Sequence, residues 1–352
     1  MKKYIILGML IIISSVAFAT LKISGHADIR PRFDMKDYED GEGNLTKQLH
    51  NLYFQYRARV NIRADIGEHY YFNGMLGHNA LAMMTNMADG TAKPKEGSDN
   101  TAQAPSVDWM QLYIARDGDF GWQFGRVPLA GNILLDMHYY PTKVHDLPFL
   151  IYNNNAYTGG KVYARLGDGR LTGIIAIDQD VVNHESYDAG DSTVTDQDGM
   201  TVALQYDRKF GKLSVSPEIY YSAHKSNQNP LTVGALLGYD VAEFHLFGGA
   251  GYTRSREADR YDGYTYQVGA KRKLGPGSLK ADYNGAMVDR SSHGGAETEF
   301  SFWKIAYYYK IAAGQHGDLT LRPQWRHYRK QVIDGEGYIR NKWELYLSIN
   351  FK

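Results

Sequence analysis

The sequence predicts an all-β fold, a transmembrane antiparallel β-barrel of sixteen strands. Three observations carry this reading. Segments of about 10 residues alternate apolar and polar side chains, as a strand must when one face meets lipid and the other water. The connections between segments are short and long in turn. Beyond the N-terminus, no apolar run approaches the roughly 20 residues that a membrane helix needs.

The N-terminal stretch reads separately. Lys2 and Lys3 precede an apolar run from Tyr4 to Val16, and Ala17-Phe18-Ala19 supplies the small residues of a cleavage site. Residues 1–19 are therefore expected to be a secretory signal peptide, leaving 20–352 as one barrel domain. The chain has no cysteine, which excludes disulfides and a lipid-modified cysteine. With 39 basic and 39 acidic residues, its total charge points to no partner and gives no reason to expect nucleic acid.

The first strand, 20–33, sets Lys22, Ser24, His26, Asp28, Arg30 and Arg32 opposite Leu21, Ile23, Ala27, Ile29 and Phe33. The second, 50–66, is the clearest: Leu52, Phe54, Tyr56, Ala58, Val60, Ile62, Ala64 and Ile66 alternate with Tyr53, Gln55, Arg57, Arg59, Asn61, Arg63 and Asp65. The same rhythm places strands at 69–79, 106–115, 120–126, 155–166, 170–179, 200–208 and 213–224. It continues at 231–239, 242–254, 263–272, 278–289, 299–311, 318–331 and 338–351. Tight turns follow even-numbered strands: Gly67-Glu68, Asp117-Gly118-Asp119, Gly167-Asp168-Gly169, Gly211-Lys212 and Gly275-Pro276-Gly277. Long connections follow odd-numbered ones, notably 34–49, 80–105, 127–154 and 180–199. Loops of alternating length suit a barrel with both termini at one rim, and an even strand count closes the sheet without a bare edge.

The final strand alternates Ile339, Asn341, Trp343, Leu345, Leu347, Ile349 and Phe351 with Arg340, Lys342, Glu344, Tyr346, Ser348 and Asn350. It resembles the C-terminal strand of bacterial outer-membrane barrels, in which a terminal aromatic is read by the insertion machinery. Phe351 would be that signal here, although Lys352 follows it. Three short segments, in order, resemble the sixteen-stranded general porins of Gram-negative outer membranes. Ala58-Arg59-Val60-Asn61-Ile62-Arg63 is similar to their basic second strand. Gln123-Phe124-Gly125-Arg126 resembles the strand end before their third loop, and Asp146-Leu147-Pro148 a stretch within that loop. The resemblance implies an integral outer-membrane location, lipid and lipopolysaccharide around the barrel, and a homotrimer with the 80–105 loop bridging to a neighbour. It also implies a third loop folded into the lumen, with small hydrophilic solutes and ions passing and no cofactor.

Residues 127–154 support an inward loop on physical grounds as well. They include Ile133-Leu134-Leu135 and Leu147-Pro148-Phe149-Leu150-Ile151, which would be unfavourable in water and need a surface to pack on. Barrel closure brings the last strands beside the first. Arg30, Arg32, Arg57, Arg59, Arg63, Arg322, Arg326, Arg340 and Lys342, with Lys304 and Lys310, are then expected on one basic wall. Asp28, Asp65, Asp282 and Glu344 partly offset them. Asp136 and Asp146 would be the opposing acids of the third loop. Phe149 stands where general porins often carry another acid, which tilts the expected filter towards anions.

Two other readings stay open at this stage. Tyr53, Trp109, Tyr113, Tyr220, Tyr308, Tyr328 and Tyr346 on polar faces could stack on sugar rings, in a channel specific for anionic oligosaccharides. His138, His145, His224 and His327 could serve a hydrolase on a barrel scaffold, but none stands in a nucleophile or metal-ligand motif, so no catalytic residue is assigned. An adhesin is the remaining barrel class. Asp40-Gly41-Glu42-Gly43-Asn44 and Asp196-Gln197-Asp198-Gly199 read as solvated turns, and no metal site is assigned.

Overall fold

The computed structural model describes residues 20–78, 85–86, 107–129, 132–135, 156–178, 199–223, 229–255, 261–290 and 296–352. The signal segment 1–19 lies outside them, as do Asp136, Asp146 and the Asp196–Gly199 turn up to residue 198. Sixteen long strands and one two-residue strand make a single antiparallel sheet. They are β1 (Thr20–Glu39), β2 (Leu45–Gly67), β3 (Tyr70–His78), the short β4 (Thr85–Asn86), β5 (Val107–Arg116), β6 (Phe120–Pro128), β7 (Ala156–Leu166) and β8 (Gly169–Asp178). Then follow β9 (Gly199–Phe210), β10 (Leu213–Ala223), β11 (Leu231–Val241), β12 (Phe244–Arg254), β13 (Asp262–Leu274), β14 (Gly277–Asp289), β15 (Thr298–Gly314), β16 (Gly317–Val332) and β17 (Gly337–Phe351). β1 pairs with β2 on one side and β17 on the other, which closes the barrel. Closure gives every wall strand two neighbours for its backbone amides and carbonyls, as lipid requires.

All sixteen expected strands are present, and Leu52, Phe54, Ile219, Trp343 and Ile349 project from the exposed face as alternation requires. The first hairpin departs from expectation. The segment 34–49 is not a long loop: β1 runs to Glu39 and β2 begins at Leu45, paired from Asp34↔Asn51 to Glu39↔Leu45 with one bulge between Tyr38 and Glu39. β17 covers the other side of the same stretch, down to Glu39↔Gly337. Flanked on both sides, a polar segment completes its hydrogen bonds as strand without needing an apolar face. The turn itself is small. Asp40 accepts hydrogen bonds from the amides of Glu42 (3.0 Å) and Asn44 (2.7 Å) and from Asn44 Nδ2 (3.1 Å).

A second departure concerns Trp109. Register shifts between Met75 and Leu76, which pair with Gln111 and Trp109, so one residue of β5 is unpaired. This bulge reverses the alternation, and Trp109 stands exposed beside Gly74 on the outer face instead of among the polar residues.

Several glycines lie beneath an aromatic from the adjacent strand, Gly25 and Gly285 on the outer face and Gly121 and Gly269 on the inner one. Gly25 is opposite Phe351, Gly121 opposite Tyr163, Gly269 opposite Phe247 and Gly285 opposite Tyr266. In each pair a Cβ on the glycine would fall inside the ring, at 2.0–2.4 Å from its nearest atom. The ring takes the space that a side chain would have filled.

Candidate functional site

The closed register places inward side chains of β14 to β2 in cross-strand rows. In one row, Asp282, Lys304, Arg326, Lys342 and Asp34 lie directly opposite one another from β14 round to β1. Three cations are thus adjacent, with a carboxylate at each end. The next row holds Lys280, Ala306, Gln324, Glu344, Arg32 and Tyr53. Nearer the short-turn rim, Arg322 pairs with Tyr346, and Arg30 with Gln55. Ser348, Asp28 and Arg57 follow, then His26 and Arg59.

Glu344 is the hub of this wall. Its side chain has 0% exposure and receives Arg30 at 3.2 Å, Arg326 at 2.6 Å, Arg32, and the amide of Gln324. One buried carboxylate therefore holds three guanidiniums in place and leaves the cluster positive. Arg340 makes a two-point contact to Asp34, Nε at 2.8 Å and Nη2 at 2.7 Å. Asp28 takes Arg57 (Nε, 3.0 Å), His26 Nε2 (2.8 Å) and the Ser348 hydroxyl (2.5 Å).

The remaining cations lack such partners. Among the described residues, Arg59, Arg322, Lys342 and Lys304 have no carboxylate within ion-pair distance, and two nitrogens of Arg59 donate to no hydrogen-bond partner. Arg322 lies over the rings of Tyr346 (3.9 Å) and Tyr308 (5.4 Å), and Lys342 over Tyr328 (4.6 Å). Ring faces hold these cations without neutralising them. Leaving aside the rim pair Lys310–Asp318, the rows from Arg59 up to Arg340 thus carry eleven basic side chains, Lys280, Lys304, Arg322, Arg326, Arg340, Lys342, Arg30, Arg32, Lys36, Arg57 and Arg59, against Asp28, Asp34, Asp282 and Glu344.

Two expected members of the wall sit elsewhere. Arg63 lies lower, bonded to Asp65 (2.8 Å) and stacked on Tyr71 (3.7 Å). Lys310 keeps the inward register but is exposed at the short-turn rim, 3.5 Å from Asp318 and just before a bulge between Lys310 and Ala312. Phe351 ends β17 on the outer face over Gly25. His327 also faces outward, at 2.9 Å from Asn341. The sequence reading missed Asp34, because it assigned 34–49 to a loop. The signal was present: Asp34, Lys36 and Tyr38 continue the polar parity of the strand.

The opposite wall, β6 to β12, is lined differently. Val127, Tyr157, Ile174 and Ala176 form one buried apolar cluster inside the barrel. Ile133, Leu134 and Leu135, one helical turn of the third loop, form another with Tyr220 of β10. The loop leaves β6 next to Gly125, which has φ +127° and whose absent Cβ would meet Leu112 O at 2.5 Å, so only glycine fits there. The described turn of the loop, 132–135, packs inside the barrel, as the apolar Ile133-Leu134-Leu135 requires.

A closed sixteen-stranded barrel with an apolar exterior, a charged interior wall and a loop turn packed inside is a transmembrane channel of the outer-membrane type. The comparisons agree. The chain matches the family model described as Gram-negative porin over residues 7–315, and it belongs to that family. A search of curated proteins gives no match. Among solved structures, the anion-selective porin from Comamonas acidovorans is 13% identical, with a TM-score of 0.59 over 94% of this chain and 99% of that one. The outer membrane channel DcaP of Acinetobacter baumannii is 15% identical, with a TM-score of 0.58 over 95% and 98%. OmpT, an outer membrane protein of Vibrio cholerae in its trimer form, is 11% identical, with a TM-score of 0.53 over 93% and 99%. At such identities these structures support the fold, and the family match places the chain in the outer membrane as a porin.

Proposed function

We propose that this porin is a passive diffusion channel for small hydrophilic solutes and ions that favours anions, and that it performs no chemistry. The observation that carries the proposal is the eleven-to-four excess of basic over acidic side chains on the β14–β2 wall. Salt bridges take up part of that charge. Arg59, Arg322, Lys342 and Lys304 stay uncompensated, and they lower the barrier for an anion beside them. Asp136 and Asp146 would face this wall from the third loop. Luminal tyrosines favour diffusion over sugar stacking, because Tyr346, Tyr308, Tyr53 and Tyr328 already carry the protein's own cations. Removal of residues 1–19, a homotrimeric assembly and use of Phe351 as the insertion signal complete the proposal.

Single-channel recording in a planar bilayer under a salt gradient tests it. The expected result is conductance in steps of three with an anion-selective reversal potential. Lys342→Gln with Arg322→Gln should move that potential towards zero. A cation-selective wild-type channel would overturn the anion filter, and an unconditional absence of conductance would overturn the channel.

A further inference from the structure

Among the described residues, one turn of the third loop meets the barrel at contacts that neither the fold nor the charge wall explains. Asn132 stands immediately before the helical turn at 133–135, and its Oδ1 accepts hydrogen bonds from the amides of Leu134 (2.9 Å) and Leu135 (3.1 Å). The same side chain donates from Nδ2 to Glu218 Oε2 at 2.8 Å. Glu218 points inward from β10, is 4% exposed, and also accepts the Tyr220 hydroxyl at 2.7 Å. One asparagine therefore caps the turn and ties it to the wall.

Leu134 makes the second attachment. It is fully buried against β11 and β12, where Gly234 and Gly251 lie directly opposite each other. A Cβ on Gly251 would come within 2.1 Å of Leu134 Cδ2, and one on Gly234 within 2.8 Å. The two glycines form a trough without side chains, and the leucine fills it. These contacts lie four to six strands round the barrel from β6, where the loop begins.

We infer that Asn132, Leu134, Glu218 and Gly251 are positioning residues for permeation: they fix how far the third loop stands out from the wall and so set the free bore beside it. The inference rests on the channel reading above. A filled trough would drive Leu134 towards the pore axis, and a shortened Leu134 would let the turn settle back.

The test is a cycle on the full-length protein: Gly251→Val, Leu134→Ala and the double variant. Unit conductance and the size cut-off for uncharged sugars in liposome swelling are measured for each. The sugar cut-off reports bore without charge, which separates this mooring from the cation wall. Gly251→Val should lower conductance by about twofold or more and exclude smaller sugars, and Leu134→Ala in the same chain should restore both, because a luminal obstruction acts on cross-section. Glu218→Gln, which keeps a side-chain acceptor for Asn132, should leave the cut-off near wild type, whereas Glu218→Ala should shift it. Each variant must first show the heat-modifiable mobility of a closed barrel. Where Gly251→Val fails that check, Gly251→Ala takes its place in the cycle, with Glu218→Ala and Glu218→Gln read alongside. Wild-type conductance with folded variants of unchanged cut-off would overturn the mooring alone. A silent wild-type chain would overturn the mooring and the channel together.

Discussion

At the scale of single residues, Glu344 has the largest expected effect. Its carboxylate is enclosed by Arg30, Arg32 and Arg326. Burying charge is unfavourable unless it is paired, and deleting one partner of a buried pair costs about 3–5 kcal/mol. Glu344→Ala should therefore lower the thermal unfolding midpoint of the folded barrel, followed by electrophoretic mobility after graded heating. The same variant should increase anion preference in the channels that do form. A wall in which the carboxylate served only to neutralise charge would show the second effect without the first. Tyr346 is the companion case: it lies under two guanidiniums, Arg322 at 3.9 Å and Arg30 at 4.9 Å, and so separates like charges while holding both.

At the scale of elements, the hairpins carry the predictions. The β1–β2 turn is closed by Asp40, whose carboxyl is held below its ordinary range chiefly by the amide of Asn44. A carboxyl with a depressed folded pKa contributes stability above its unfolded pKa of about 3.9 and loses it as pH falls through the folded value. Hydrogen exchange at the Glu42 and Asn44 amides should thus be slow at neutral pH, relative to an Asp40→Ala chain. That protection should fade only in strong acid. The glycine–aromatic pairs make a second prediction at this scale. Gly285→Val, under Tyr266, overfills an occupied site and should destabilise the β13–β14 hairpin by about 1–3 kcal/mol, measured by urea unfolding in detergent. Gly67→Ala meets no atom within 4 Å and should be milder, limited by its φ of +113°.

At the scale of the whole molecule, the lumen has two unlike halves. The β14–β2 half is charged and ordered by salt bridges and stacked rings. The β6–β12 half mixes apolar clusters and glycines with scattered polar groups such as Lys161, Arg170, Asp207 and Glu218, and it carries the described turn of the third loop. This division follows from closure, because residues more than 300 positions apart, such as Asp28 and Ser348, become neighbours only when β1 pairs with β17. Chemical cross-linking of the detergent-solubilised barrel should yield a trimer, the assembly proposed above, and intact mass of the exported protein should begin at Thr20. A monomer, or a chain retaining residues 1–19, would overturn those two parts of the proposal separately.

Much of this molecule was legible in its sequence. Side-chain alternation has a period of two whatever the register, so all sixteen strands, their facing and the tight turns could be read directly. The inward parity of Arg30, Arg32, Arg57, Arg59, Arg326 and Lys342 followed from the same rule. What alternation cannot carry is register between strands and interruption within them. Hence the full length of the first hairpin and the outward turn of Trp109 at a bulge emerged only in three dimensions, as did the three guanidiniums around Glu344. The landing of Leu134 between Gly234 and Gly251 is of the same kind. A glycine trough has no side chain to announce it, and only the close approach of a loop that begins four or more strands away gives those two glycines a purpose.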